Sequence, residues 1–218
     1  MNKIKQKYIT HFSNKDYLLS FLYSGLMIAG SVVITFYANL YATEKASNSV
    51  TDIVLDNTKA YDVDWLFVYG PILLWSFVFF ILFNNPNRIP FTLKSVGLFA
   101  IIRSIFTILT HIAPFPIRTD VSLSGLMGYF TTGKDLFFSG HTGLPFLLAL
   151  IFWDRKYLRY IFITASLMFA AVVLLGHLHY SIDVLSAFFI TYTIYQMAER
   201  FFDKDKHSHL LQNQSQKQ

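Results

Sequence analysis

Cysteine is absent from the 218-residue chain, and charged residues make up only 14% of it. The absence of thiols excludes disulfides, thiolate catalysis and zinc–thiolate sites. Hydrophobic residues account for 54% of the chain, and its mean hydropathy is +0.42. This shortage of charge is incompatible with a soluble domain of this size and predicts an integral membrane protein.

Long apolar runs take the place of the missing charge. A helix needs about 20 residues to cross a hydrocarbon core, and six runs are long enough or nearly so: 17–41, 65–83, 96–112, 136–153, 157–175 and 180–197. The second run contains Pro71 beside Gly70. Membrane helices tolerate a proline where neighbours satisfy the carbonyl that it frees. The first run is too long and too rich in tyrosine for a signal-peptide core, so we expect it to be retained.

These runs predict an all-α integral membrane protein with six transmembrane helices in one bundle. An N-terminal arm, residues 1–16, precedes the membrane domain, residues 17–198, and a polar tail, residues 199–218, follows it. The tail is rich in Gln, Asn and Lys, and we expect it to be disordered. The sequence of the whole chain gives no indication of its oligomeric state.

The distribution of basic residues orients the predicted helices. Thirteen of the 18 lysines and arginines fall on one side of the six-helix arrangement, four fall on the other, and Arg103 lies within the third run. The positive-inside rule then places both termini in the cytoplasm. The net charge of +5 is explained by this topology and requires no nucleic-acid partner.

Two motifs carry the chemistry. Ser139-Gly140-His141-Thr142 and His179-Tyr180-Ser181-Ile182-Asp183 each lie where an apolar run meets water, on the external side of the predicted topology. On a helix, His179 and Asp183 share one face because they are four residues apart. A histidine held by a carboxylate, with a second histidine nearby, suits phosphoryl transfer: one ring is the nucleophile and the other the proton donor and acceptor.

Two blander interpretations of these motifs stay open. Each histidine taken alone fits a structural role at a helix entry. Two histidines and an aspartate also suit a metal ion, but the remaining candidate ligands, His111, His177 and loop carboxylates, lack convincing ligand spacing. We therefore predict a site that uses no metal and no cofactor.

The third run carries a charge inside the membrane. Arg103 shares its helical face with Thr107, and intramembrane charges mostly face a bundle interior or a cavity. One interpretation is that Arg103 snorkels or ties two helices together through backbone carbonyls. The other is a clamp for the non-bridging oxygens of a phosphate.

Together these segments resemble the sphingomyelin synthase family, a branch of the type 2 phosphatidic acid phosphatase (PAP2) superfamily. Asp135 and Ser139-Gly140-His141-Thr142 are similar to its Gly-Asp-x-x-x-Ser-Gly-His-Thr segment, although Lys134 stands where that family has glycine. The segment that begins at His179 resembles its His-Tyr-Thr/Ser-x-Asp-Val segment. Arg103, Thr107, Pro114 and Pro116 fall at the offsets of a third segment. Asp52 and Asp56 lie in a fourth, weaker match.

The resemblance implies a six-helix PAP2-like core with an outward-facing site. In that site His179 attacks phosphorus, Asp183 orients it, and His141 is the general acid and base. We expect the phosphate-binding groups to be Arg103, Thr107, Ser139, Lys134, Asp135 and Tyr180. The superfamily's Ser-Arg pair is replaced here by Val172-Val173, and its Lys-x6-Arg-Pro segment is absent. Those departures favour the transferase branch over the hydrolases.

Three functions are therefore weighed. The first is a phosphotransferase that moves a phosphocholine-type head group from a phospholipid to a lipid alcohol, either ceramide or diacylglycerol. The second is a lipid phosphatase or phospholipase C-like hydrolase with water as acceptor. The third is a non-enzymatic transporter or scaffold, which is disfavoured because polarity in the fourth and sixth runs is concentrated at their outer ends. Small size, absent cysteine and arms rich in Lys and Asn indicate a bacterial inner membrane.

Overall fold

The computed structural model describes residues 2–118 and 137–206, the side chains of residues 2 and 3 excepted. Seven α-helices have both ends within these ranges: α1 (Asn2–Phe12), α2 (Lys15–Lys45), α3 (Asp64–Asn84), α4 (Ile89–Leu109), α5 (Gly140–Ile151), α6 (Lys156–Leu175) and α7 (Ser181–Phe201). Residues 203–206 are also helical. Two short 3₁₀ turns, Leu55–Asn57 and Pro86–Arg88, precede α3 and α4 respectively.

Four helical segments are long and apolar enough to cross a membrane: Lys15–Lys45, Asp64–Asn84, Pro86–Leu109 and Lys156–Leu175. These segments, with the shorter apolar helix α5, indicate an integral membrane protein. The 12 residues of α5 span only about 18 Å, less than a hydrocarbon core. Helix α7 has 21 residues but is not among the four. The prediction of six crossings with both termini in the cytoplasm therefore stays a prediction.

Helix α5 lies at the centre of the bundle, where it packs against α4, α6 and α7. Most of its side chains are buried, since phenylalanine and leucine side chains surround it. The core includes Phe91, Phe99, Phe138, Leu147, Leu148 and Phe162. Burial on every side explains why the run that forms α5 is apolar all round.

Helix α2 packs along α4, and the two run in the same direction. The hydroxyl groups of Thr35 and Ser104 are 3.0 Å apart. One end of this interface is closed by Lys94, which bonds Ser20 and Asp205. Asp205 belongs to the predicted polar tail, and its bond with Lys94 holds that segment against the bundle.

The bundle has two polar ends with different chemistry. The ion-paired end contains the pairs Arg88–Asp154 and Lys94–Asp205. The histidine end contains His141, His177 and His179, which lie where α5 and α7 begin and α6 ends. Burial opposes ionisation of Asp154, but its hydrogen bonds with Arg88 and the charges of Arg88 and Arg155 together lower the pKa of that carboxyl. The candidate site lies at the histidine end.

Candidate active site

The pair His179 and Asp183 forms the centre of the site. Nδ1 of His179 is 3.4 Å from Oδ2 of Asp183, and the same oxygen accepts the backbone N–H of Tyr180 at 2.9 Å. Asp183 is only 1% exposed, so this carboxylate is held firmly. Because Nδ1 faces the carboxylate, Nε2 is the nitrogen left to react.

The contact forms by a different geometry from the one that the spacing predicts. His179 does not lie on a helix, since α7 begins two residues later at Ser181. Asp183 is in the first turn of α7, where an acidic side chain folds back to cap exposed N–H groups. The prediction that both residues share a helical face is therefore wrong, although the contact itself is present.

Helix α5 begins directly beside this pair. The backbone N–H of Ser139 donates to the carbonyl of Asp183 at 3.1 Å. The Ser139 hydroxyl caps α5 by accepting the backbone N–H of Thr142. His141 follows in the first turn of α5, close enough to His179 and Arg103 for electrostatic interaction with both. The two histidines of the sequence motifs are thus brought together.

The ring of His141 is seated among aromatic side chains. It stacks on the ring of Phe67 with the centroids 4.1 Å apart and an interplanar angle of 23°. The edge of Phe169 approaches from another side, at 6.1 Å. The imidazole also hydrogen-bonds the backbone carbonyl of Phe67. Helix α3 therefore fixes the position of a ring that α5 supplies.

Arg103 lies against the start of α5. Its Nε donates to the carbonyl of Phe138 at 2.8 Å. Glycine at position 140 eases this approach, because a Cβ there would lie 3.3 Å from Nε of Arg103, a tight contact that requires a small shift. A guanidinium group and the N-terminus of a helix both attract anions. Their juxtaposition beside His141 provides electrostatics suited to a phosphate.

The other predicted phosphate-binding groups are used within the protein. Thr107 donates its hydroxyl to the carbonyl of Phe137 at 3.3 Å. Tyr180 is buried, and its hydroxyl donates to Ala113 and accepts the backbone N–H of Val50. Ser139 is buried as the cap of α5. Contact of these three residues with phosphate stays a prediction. Lys134 and Asp135 lie outside the described residues.

Asp52 is a contributor that sequence reasoning did not assign to the site. It lies in the loop after α2, and its Oδ2 accepts both the backbone N–H and the hydroxyl of Ser181, at 2.7 and 2.8 Å. Burial opposes its ionisation, but hydrogen bonds led by that of Ser181 lower the pKa of the Asp52 carboxyl. Its local bonds to the N–H groups of Val54 and Leu55 are typical of an aspartate turn. That turn and the weak family-like segment around Asp52 are the signals present in the sequence.

His177 joins two loop segments to the chain just before His179. Its Nδ1 bonds the carbonyl of Ile117 at 2.7 Å, and its Nε2 bonds the hydroxyl of Thr58 at 3.2 Å. Its φ of 54° is left-handed, an uncommon conformation for a side chain that is not glycine. No sequence signal indicated these contacts. Within residues 2–118 and 137–206, no three His, Asp or Glu side chains form a group that would hold a metal ion.

A comparison with protein-family models finds a match to the part of the chain that contains the two histidine motifs. Residues 133–200 match the family model described as PAP2 superfamily, C-terminal. This match spans His141, His179 and Asp183. No curated protein and no solved structure matches the chain significantly. The matched segment is therefore similar to the C-terminal part of PAP2 superfamily proteins.

Proposed function

We propose that this protein is a membrane lipid phosphotransferase that moves a phosphocholine-type head group through a phosphohistidine intermediate. The observation that carries the proposal is the position of His179: its Nδ1 faces a buried carboxylate, at 3.4 Å, while His141 and Arg103 lie close by. The donor is a phospholipid and the acceptor a lipid alcohol, ceramide or diacylglycerol. The site opens to the extracytoplasmic side of the bilayer, in a bacterial inner membrane.

In the first half-reaction, Nε2 of His179 attacks the phosphorus of the donor lipid. A bond forms between that nitrogen and phosphorus, and the bond between phosphorus and the diacylglycerol oxygen breaks. Protonated His141 gives its proton to the departing oxygen. Asp183 stabilises the positive charge that develops on the ring of His179. Arg103 and the N-terminus of α5 stabilise the negative oxygens on phosphorus.

In the second half-reaction, the acceptor reverses these steps. His141 takes the proton of the acceptor hydroxyl, whose oxygen attacks phosphorus and displaces Nε2 of His179. The product is a new phospholipid, and His141 is protonated again. Both half-reactions depend mainly on positioning and charge neutralisation, as phosphoryl transfer generally does.

Hydrolysis by the same residues is the second candidate, and one observation separates it from transfer. Val172 and Val173 are buried in an apolar cluster at the place where the superfamily's hydrolases carry their Ser-Arg pair. The site therefore lacks an arginine from α6, and Arg103 of α4 is the cation at the start of α5. This difference favours transfer to a lipid alcohol over release of a free phosphate ester.

The test uses purified protein in liposomes of phosphatidylcholine labelled in the choline group. Ceramide, or a diacylglycerol with acyl chains unlike those of the donor, is added to one half of the samples. We expect a new labelled lipid that appears only with an acceptor. His179→Gln should abolish it, whereas His111→Gln, the same substitution on α4's C-terminal side and outside the site, should retain it.

Two results would overturn the proposal. Labelled phosphocholine released with no acceptor-dependent lipid would replace transfer with hydrolysis. Full turnover in His179→Gln would remove the phosphohistidine intermediate from both reactions. If neither a labelled lipid nor phosphocholine forms with any acceptor, the non-enzymatic transporter or scaffold is favoured instead.

A further inference from the structure

A proline in helix α3 leaves one backbone carbonyl without its helical hydrogen-bond donor. Pro71 lies within α3, and proline has no N–H to donate to the carbonyl four residues earlier. That carbonyl belongs to Phe67. Phe67 is buried, so the freed carbonyl needs a neighbouring group as its hydrogen-bond partner.

The group that bonds the Phe67 carbonyl is the imidazole of His141. The ring of Phe67 stacks on the same imidazole at 4.1 Å, so one residue supplies both a flat contact and a hydrogen-bond acceptor. Gly70, next to the proline, lets the Phe169 ring approach His141, because a Cβ at Gly70 would lie 2.6 Å from that ring. The segment 67–71 is therefore shaped around His141.

We propose that Pro71 is a positioning residue for His141: by leaving the Phe67 carbonyl without a helical partner, it fixes which ring nitrogen of His141 carries the proton. The catalytic consequence depends on the function proposed above, whereas the tautomer itself does not.

The fixed tautomer has a defined place in the reaction. When His141 is neutral, its single N–H donates to the Phe67 carbonyl, and the lone pair is on the other nitrogen. That nitrogen accepts the proton of the acceptor hydroxyl and later returns it to a departing oxygen. The N–H on the carbonyl is never transferred. Without the carbonyl, the neutral ring can hold its proton on the reacting nitrogen, which then cannot act as a base.

The test is ¹⁵N NMR of protein labelled in histidine, in which the His141 signals are assigned by their loss in His141→Gln. At a pH where the ring is neutral, the wild-type protein should show one tautomer. In Pro71→Ala the restored N–H bonds the Phe67 carbonyl and should give a mixture of tautomers, with about a tenfold loss of turnover. Incorporation of lactic acid at position 71, which has the alanine methyl but no N–H, should restore the single tautomer.

Two control variants separate the effect of the Phe67 carbonyl from that of the other contacts around His141. Phe67→Leu removes the stacked ring but keeps the carbonyl, so one tautomer should remain. Ile72→Ala changes the exposed residue next to the proline and should leave both the tautomer and turnover unchanged.

Several outcomes would overturn the role of Pro71. These are a wild-type protein with mixed tautomers, a single tautomer in Pro71→Ala, or a mixture in Phe67→Leu alone. The wild-type spectrum decides the matter even if Pro71→Ala does not fold. A fixed tautomer in a protein without transferase activity would contradict the proposed function and leave this inference intact.

Discussion

Asp183 makes contacts with three separate parts of the site. Its carboxylate accepts from His179 and from the backbone of Tyr180, while its carbonyl accepts the N–H of Ser139 at the start of α5. The side chain acts on the nucleophile, and the main chain aligns the helix that carries His141. Substitution of the Asp183 side chain therefore tests its action on His179 and keeps the main-chain bond that aligns α5.

Asp183→Asn removes the negative charge but keeps an amide oxygen that can accept the Tyr180 N–H. We expect the fold to persist and turnover to fall by about 10²–10⁴-fold, because the cationic ring of His179 is no longer stabilised. The measurement is the acceptor-dependent rate together with the melting temperature. Asp62→Asn is the matched control, since Asp62 also accepts a backbone N–H, that of Asp64, but is exposed and makes no described contact with a histidine. A rate for Asp183→Asn within about threefold of wild type would contradict this prediction.

At the scale of elements, the N-terminus of α7 is held by a loop that is distant in sequence. Asp52 bonds Ser181 across 129 positions of the chain, and Tyr180 joins the same loop through Val50. A carboxylate at a helix N-terminus is stabilised by the helix dipole and by hydrogen bonds to the exposed N–H groups. The position of His179 thus depends on the loop after α2.

The pKa of Asp52 gives this contact a pH dependence. Since its pKa is lower in the folded protein than in the unfolded chain, its stabilisation is complete above the ordinary carboxyl pKa of about 4 and is lost as pH falls through the folded value. Asp52→Asn should lower the free energy of unfolding by about 2 kcal/mol at pH 7. The difference from wild type should shrink below about pH 4. Melting temperatures from pH 3 to 7 check this, and a difference that is constant with pH would contradict it.

The elements show how far sequence reasoning reaches. Apolar runs predicted α2, α3, α5, α6 and α7 within about four residues, because burial or lipid contact demands such runs. Helix α4 begins seven residues before its predicted run, and α1 was not predicted. The spacing of His179 and Asp183 predicted their contact, which depends on residues close together in the chain. The bonds Asp52–Ser181, Arg103–Phe138 and His177–Ile117 were beyond its reach. Each joins distant segments, and local patterns carry no information on how those segments are aligned.

At the scale of the whole molecule, the two polar ends allow a direct test of topology. The natural absence of cysteine means that a single introduced thiol is the one reactive group. Ile53 at the histidine end and Tyr157 at the ion-paired end are matched in exposure, at 83% and 84%. If the positive-inside assignment is correct, a membrane-impermeant maleimide should label Ile53→Cys in intact spheroplasts and Tyr157→Cys only after lysis.

The pattern of labelling decides the orientation. The reverse pattern would place the histidine end in the cytoplasm and exclude an extracytoplasmic site. A permeant maleimide that labels both variants equally in intact spheroplasts shows that both thiols are reactive, so protection of one reflects the membrane alone.

The bond from Ser139 to the Asp183 carbonyl has a consequence for how such a protein can diversify. Because this bond joins main-chain atoms, substitution of the side chains of Ser139 and Asp183 does not remove it. The bond therefore helps to preserve the spacing between the imidazoles of His141 and His179. The side chains of α5 and α7 can then diverge while the starts of the two helices stay joined.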